Sequence, residues 1–145
     1  MIKCMLNAVA RIAGRNPAKI DHVIARTAWA EARGDGSQGM AGVINVIMHR
    51  ASRPGWWGRT PEEVCLKPQQ FSCWNANDPN RTKALAVDES DPMFARAMIL
   101  EDAALRGTLV DNTGGATHYH AVGVLPRWAA SMRRVARIGG HIFYR

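Results

Sequence analysis

The chain has 145 residues, a formal net charge of +7 and 21% charged side chains, figures that fit one compact domain over 1–145 and disfavour both a two-domain enzyme and a disordered chain. A chain of this length buries about 70% of the surface it exposes when unfolded, and 47% apolar residues can supply that core. No apolar run approaches the ~20 residues that span a bilayer, which excludes a transmembrane helix.

Met1–Asn16 is mildly amphipathic and reads as a short helix or a loose arm; Asn7 and Arg11 break its apolar stretch, so no signal peptide is read there. Asn16 as a cap, Pro17 in a first turn, and Ile20, Val23, Ile24, Thr27 and Ala28 at helical spacing predict a helix ending near Ala32 or Arg33. Gly34, Gly36 and Gly39 predict a tight loop carrying Asp35, Ser37 and Gln38. Met40, Val43, Ile44, Ile47 and Met48 then predict a second helix with one face in a core. Thr60-Pro61-Glu62-Glu63 combines a capping Thr, a first-turn Pro and a Glu three residues after the cap, and so predicts a short helix. A further helix is expected from Pro92, capped by Asp91, to about Arg106, with Gly107 closing it. Ala116–His120 and Val135–Tyr144 are richer in β-branched and aromatic residues, and Gly139-Gly140 is a two-residue hairpin signal. Helices followed by a small antiparallel sheet make an α+β fold.

Of the basic residues only Lys3, Lys19, Lys67 and Lys83 are lysines. The arginine excess suits an anionic partner: nucleic acid, a membrane surface or an anionic wall polymer. Cys4, Cys65 and Cys73 are an odd number, which excludes a dense disulfide framework. Cys65 and Cys73 either pair across a short loop or are two small buried residues.

The segment Ala30-Glu31-Ala32-Arg33-Gly34-Asp35-Gly36 places a carboxylate at the end of an apolar helix, directly before glycines. Partial burial and the negative end of the helix dipole both disfavour an ionised carboxylate, so Glu31 there suits a general acid. The plainer reading is an exposed helix-end glutamate paired with Arg33 or another arginine.

Six blocks occur in order: Ala30-Glu31-Ala32-Arg33-Gly34, Gly39-Met40-Ala41-Gly42-Val43, Gln70-Phe71-Ser72-Cys73-Trp74, Gly115-Ala116-Thr117-His118-Tyr119-His120, Pro126-Arg127-Trp128 and Gly139-Gly140-His141-Ile142-Phe143-Tyr144. In these the chain resembles the spore-cortex-lytic, SleB-type cell wall hydrolases from Ala28 to Tyr144. The resemblance implies a lysozyme-like fold that cleaves the glycan strand of peptidoglycan, with Glu31 at the position of the family's catalytic glutamate. The chain departs from the pattern at Asp35, where the family usually has Glu, and at His49 before Arg50, where Asn is more usual.

Cleavage between N-acetylmuramic acid and N-acetylglucosamine needs a group that protonates the leaving oxygen. In a lytic transglycosylase the muramic C6 hydroxyl attacks C1, and the same carboxylate then takes that proton, so Glu31 suffices and a 1,6-anhydro sugar results. A hydrolytic muramidase needs a second carboxylate, about 6.5–9.5 Å away to activate water or about 5–5.5 Å away to act as nucleophile. Asp35 is the near candidate, with a loop-anchoring role as its alternative. Transglycosylase ranks first.

The substrate-binding set expected from chemistry and resemblance is Gln70, Phe71, Ser72, Trp74, Thr117 and His118. If the 70–74 segment is extended, Phe71 and Cys73 share a core face while Gln70, Ser72 and Trp74 share the cleft face. Thr117 and Tyr119 share a strand face, from which Tyr119 can orient Glu31. Trp56 and Trp57 are either cleft-rim residues or packing anchors.

Two other classes compete. His118, His120, His141 and Glu31 would make a zinc site if they converged, and Arg133, Arg134 and Arg137 would suit a nucleic-acid surface. Neither is backed by a specific motif, so the expectation is a monomeric enzyme without metal or cofactor that acts on peptidoglycan in an anionic envelope, not on specific nucleic acid. Its expected context is that of a phage endolysin, made in the cytoplasm and reaching the wall after release.

Overall fold

The computed structural model describes residues 19–53 and 55–145. Among the described residues five helices come first: α1 (Val23–Ala32), α2 (Gly36–Ala51), α3 (Pro61–Leu66), α4 (Pro79–Ala86) and α5 (Pro92–Leu105). Strands β1 (His118–Ala121), β2 (Arg134–Ile138) and β3 (His141–Tyr144) follow, in an antiparallel sheet of order β1-β3-β2. The α+β expectation holds, and among the described residues no helix is long and apolar enough to cross a membrane.

Asn16, Pro17 and the Cys4 stretch lie outside the described residues. Helix α1 begins at Val23, after His22 in the left-handed region at φ 48° with no side-chain cap. A distant residue does the capping. Glu101 of α5 accepts the Ala25 N–H at 2.8 Å and His22 Nδ1–H at 2.7 Å, placing a carboxylate on the positive end of α1. Buried Arg26 answers at another helix end, donating to the Ala84 and Val87 carbonyls, each at 2.8 Å, where α4 stops.

The glycine loop expected over Gly34–Gly39 is shorter than its composition suggested. Only Arg33–Asp35 leaves α geometry, as a 3-10 turn, and α2 already starts at Gly36 rather than at Met40. The caps of α3 and α5 form as read: Thr60 accepts the Glu63 N–H, and Asp91 accepts the Met93 and Phe94 N–H groups. Helix α4 was not anticipated, although Asp78-Pro79 carries the same signature and Asp78 accepts the Asn80 N–H at 2.8 Å. The hairpin turn falls at Gly139-Gly140, where Gly139 has φ +53°.

Helices α1, α2 and α5 enclose the main core through Ile24, Ala28, Met40, Val43, Ile44, Ile47, Phe94 and Ala97. A smaller cluster of Val46, Ala116 and Phe143 fastens the sheet to α2. Polar residues of α2 hold the loop that leads into β1: Asn45 donates to the Val110 carbonyl at 3.1 Å, His49 Nδ1–H to the Ala116 carbonyl at 2.7 Å, and Arg50 Nε–H to the Thr117 carbonyl at 2.8 Å. The family departure at His49 therefore serves structure at the end of α2.

Sheet and helix meet closely at Gly42, where a Cβ would stand 2.8 Å from the Phe143 ring. Alanine there would gain about 1 kcal/mol of helix propensity but overpack a fully buried ring at about 1–3 kcal/mol. Gly42→Ala is therefore expected to lose about 1 kcal/mol net, read as a lower denaturant midpoint with unchanged slope.

Candidate active site

Glu31 stands in the last turn of α1, half-buried, and its partner comes from the other end of the chain. The Tyr119 hydroxyl of β1 donates to Glu31 Oε2 at 3.0 Å. The alternative pairing with Arg33 does not form: Arg33 lies 4.2 Å over the Trp29 ring and donates to the Trp29 and Ala30 carbonyls at 3.2 Å. Among the described residues no cation bridges Glu31.

Tyr119 is fixed on three sides. Its ring lies 5.6 Å from Phe143, its cross-strand partner, and meets His141 edge-on at 5.2 Å. Burial first, and then the Glu31 carboxylate, push the phenol well above its usual value of 10.0, so it stays a neutral hydroxyl donor. The Cys73 thiol also faces Glu31. Burial and that carboxylate's charge raise it far above the usual thiol range, and burial pushes Cys65 up to about 12. Both cysteines are buried and unpaired, so they are the small packed residues and not a disulfide. As thiols they are unreactive at neutral pH.

Asp35 anchors the hairpin rather than its own loop. Its Oδ1 accepts the Gly140 N–H at 3.0 Å and its Oδ2 accepts His141 Nδ1–H at 2.6 Å. A Cβ on Gly39 would overlap the Asp35 side chain, and one on Gly139 would stand 2.5 Å from Oδ1. The carboxylate is thus seated between two glycines, and both of its oxygens are occupied.

The 70–74 segment is not extended. Ser72–Trp74 is a 3-10 turn, because the Trp74 and Asn75 N–H groups close back on the Phe71 and Ser72 carbonyls at 3.1 and 2.9 Å. Phe71 and Cys73 are buried as expected, Ser72 is exposed and Gln70 half-buried. Trp74 departs from the expected cleft face: its indole N–H donates to Thr27 Oγ1 at 2.9 Å and its ring packs on the core. Thr117 is buried, with its N–H on the Tyr144 carbonyl at 2.9 Å and its hydroxyl 2.9 Å from His118 Nδ1.

Strand alternation turns His118 and His120 to the face opposite Tyr119. His118 lies 5.8 Å from Trp57 and 5.0 Å from Trp128. His120 donates Nδ1–H to the Ala121 carbonyl at 2.8 Å and accepts the Tyr144 hydroxyl at 2.9 Å. With His141 on Asp35, the four side chains of the zinc alternative do not converge. Among the described residues no three His, Cys, Asp or Glu side chains are grouped to hold a metal ion. Arg50 was not singled out in sequence. It is buried beneath Trp57 and Phe71 at 5.4 and 5.5 Å, and its Nε–H donates to the Thr117 carbonyl just ahead of β1 at 2.8 Å.

The Asp35 seat generates a pH signature. Burial alone would raise its pKa, but the Gly140 N–H and the His141 ring outweigh that and hold it below the ordinary 3.8. A carboxyl depressed in the folded state adds stability above its unfolded pKa and loses it as pH falls through the folded one. Asp35→Asn is expected to lower the melting temperature by a constant amount near neutral pH, with the gap to wild type closing only below about pH 4. Melting curves between pH 2 and pH 7 check this.

A family model described as cell wall hydrolase matches residues 34–144. Among solved structures the chain is similar to the catalytic domain of the germination-specific lytic transglycosylase SleB from Bacillus anthracis, with TM-score 0.65, 18% identity, and coverage of 91% of this chain and 98% of that one. It is also similar to the catalytic domain of the Bacillus cereus SleB protein, with TM-score 0.64, 19% identity and the same coverage of 91% and 98%. Comparison with curated proteins gives no match. At these identities the structural likeness establishes the fold, which is the α+β, lysozyme-like one implied by the sequence blocks. Glu31 precedes the matched span, so its place in the site rests on the Tyr119 contact and the end of α1. Since the family model takes in Asp35, the whole of α2 and the complete sheet, the chain belongs to the cell wall hydrolase family.

Proposed function

We propose that the protein cleaves the glycan strand of peptidoglycan between N-acetylmuramic acid and N-acetylglucosamine as a lytic transglycosylase, with Glu31 as acid and then base. The observation that supports it is the division between two carboxylates. Glu31 is held by a neutral hydroxyl and no cation, while Asp35 has both oxygens committed to the hairpin. A carboxyl group free of cations can carry a proton to the leaving oxygen. A carboxylate bound by an N–H and an imidazole is poorly disposed to activate water, which favours the one-carboxylate reaction over a muramidase using Glu31 and Asp35 together.

In the first half-reaction the Glu31 proton passes to the glycosidic oxygen as the C1–O bond breaks. Positive charge then develops at C1, and the carboxylate left on Glu31 stabilises it. In the second half-reaction the muramic C6 hydroxyl attacks C1 and its proton returns to Glu31. Glu31 is restored, and one strand ends in a 1,6-anhydro ring. Tyr119 keeps Oε2 in place through both transfers, because its raised pKa leaves it a hydrogen-bond donor whichever form Glu31 takes. Ser72 and Gln70, the polar members of the adjoining turn with accessible side chains, are suited to sugar hydroxyls and acetamido groups. The SleB domain from Bacillus anthracis is a lytic transglycosylase by name, which agrees with this choice.

Glu31→Gln keeps the size of the side chain and removes the transferable proton. Glycan cleavage of purified peptidoglycan is expected to fall by at least about 10²-fold, with the melting temperature little changed. A folded variant that cleaves at the wild-type rate would overturn the assignment.

A further inference from the structure

Between α2 and α3 the chain makes a tight turn closed by Gly58 N–H to the Gly55 carbonyl at 3.2 Å. Its two tryptophans part company. Trp57 turns inward against Arg50 and the core. Trp56 stays 65% exposed, beside Leu66, itself 42% exposed. The Lys67 ammonium lies 4.6 Å from the Trp56 ring centroid. Together with Glu62 and Glu63 these residues line an open pocket of ≈ 460 Å³, within the ~300–1,000 Å³ of small-ligand clefts.

The core does not need Trp56, since Trp57 already fills the space beneath the turn. The Lys67 ammonium over the ring makes a favourable cation–π contact, and the exposed part of the indole beside it is open to a partner. Its chemistry suits a partner with a flat apolar face and a carboxylate: the C–H face of a pyranose stacks on the indole, and an ammonium pairs with an acid group. Glu62 and Glu63 add acceptors for hydroxyls. Glu63 already takes the Arg59 N–H at 2.7 Å, so it is held in place. The pocket opens onto a band of rings on the sheet face opposite Tyr119 and Glu31. Rings succeed one another from Trp56 to Trp57 at 6.2 Å, Trp57 to His118 at 5.8 Å and His118 to Trp128 at 5.0 Å, so the pocket lies apart from the Glu31 carboxylate.

We infer that Trp56, Leu66 and Lys67 form an accessory binding site for the wall polymer, with a sugar ring on the indole and the carboxylate of a muramic-acid substituent on the lysine. The inference rests on the peptidoglycan reading above and extends it to a second contact outside the reacting centre. Such a contact holds the enzyme to an insoluble polymer between cleavage events by raising the effective concentration of the strand.

The test uses the full chain carrying Glu31→Gln, so that substrate persists, and measures co-sedimentation with purified peptidoglycan and with chitin, which has the sugar faces but no carboxylate. Adding Trp56→Ala is expected to weaken binding to both polymers by about tenfold, with the melting temperature kept because the ring is exposed. Adding Lys67→Glu is expected to weaken binding to peptidoglycan and spare chitin. Undiminished peptidoglycan binding by the Trp56→Ala protein would overturn the site, as would a Trp56-dependent preference for anionic vesicles over both polymers. Equal losses on peptidoglycan and chitin from Lys67→Glu would overturn the carboxylate assignment. If the wild-type chain cleaved no glycan while its binding still depended on Trp56, the catalytic reading would fall and this site would stand.

Discussion

Asp35 fastens the two halves of the molecule together. It sits at the elbow between α1 and α2, yet it accepts the N–H of Gly140 and the ring N–H of His141, residues 105 and 106 positions further along the chain. This contact brings the hairpin over the end of α1, and the rest of the site follows. His141 on Asp35 meets Tyr119 edge-on, Phe143 backs Tyr119 from the neighbouring strand, and the Tyr119 hydroxyl arrives at Glu31. The helical half supplies a carboxylate and the sheet supplies the group that orients it. Neither alone makes a site. The glycines at 39 and 139 are part of the same constraint, because a Cβ at 39 would overlap the Asp35 Cβ and one at 139 would overlap its carboxylate.

Much of this was readable in the sequence, and what was readable was local. Caps at Thr60 and Asp91, the double glycine of the hairpin and the apolar stripe of α2 are signals carried by neighbouring residues, and each formed where expected. The start of α1 was not readable. Its cap is Glu101, a residue of α5, and nothing near Val23 announces it. The glycine-rich stretch after Glu31 looked like a loop, but Gly36 supplies the positive φ of +69° that opens α2 and Gly39 packs closely on the Asp35 side chain within its first turn, where tertiary contact outweighs weak helix propensity. The 70–74 segment was misread for a similar reason: a 3-10 turn, not strand alternation, buries Phe71 and Cys73, and it sends Trp74 to Thr27.

The site divides along the same line. Glu31 was legible from its place before the glycines and from the family pattern, and Tyr119 from its strand face. The engagement of Asp35 was not legible, because a carboxylate between Gly34 and Gly36 in an elbow has no periodicity to reveal its partner. Nor could spacing show that His118 and His120 turn away from Glu31 into a band of aromatic rings. The aromatic and lysine pairing at Trp56 and Lys67 spans a helix and a turn, and only the fold places them together.

The chemical claim at the centre of this account is that one carboxylate does the work of acid and base while its nearest neighbour in sequence holds the scaffold. The fate of C1 reports on it directly. Mass spectrometry of sugars released from purified peptidoglycan by the wild-type chain is predicted to show 1,6-anhydro-muramic ends, formed by internal attack of the C6 hydroxyl. Reducing muramic ends would contradict the account, because water would then be the nucleophile and a second group, with Asp35 first in line, would have to activate it.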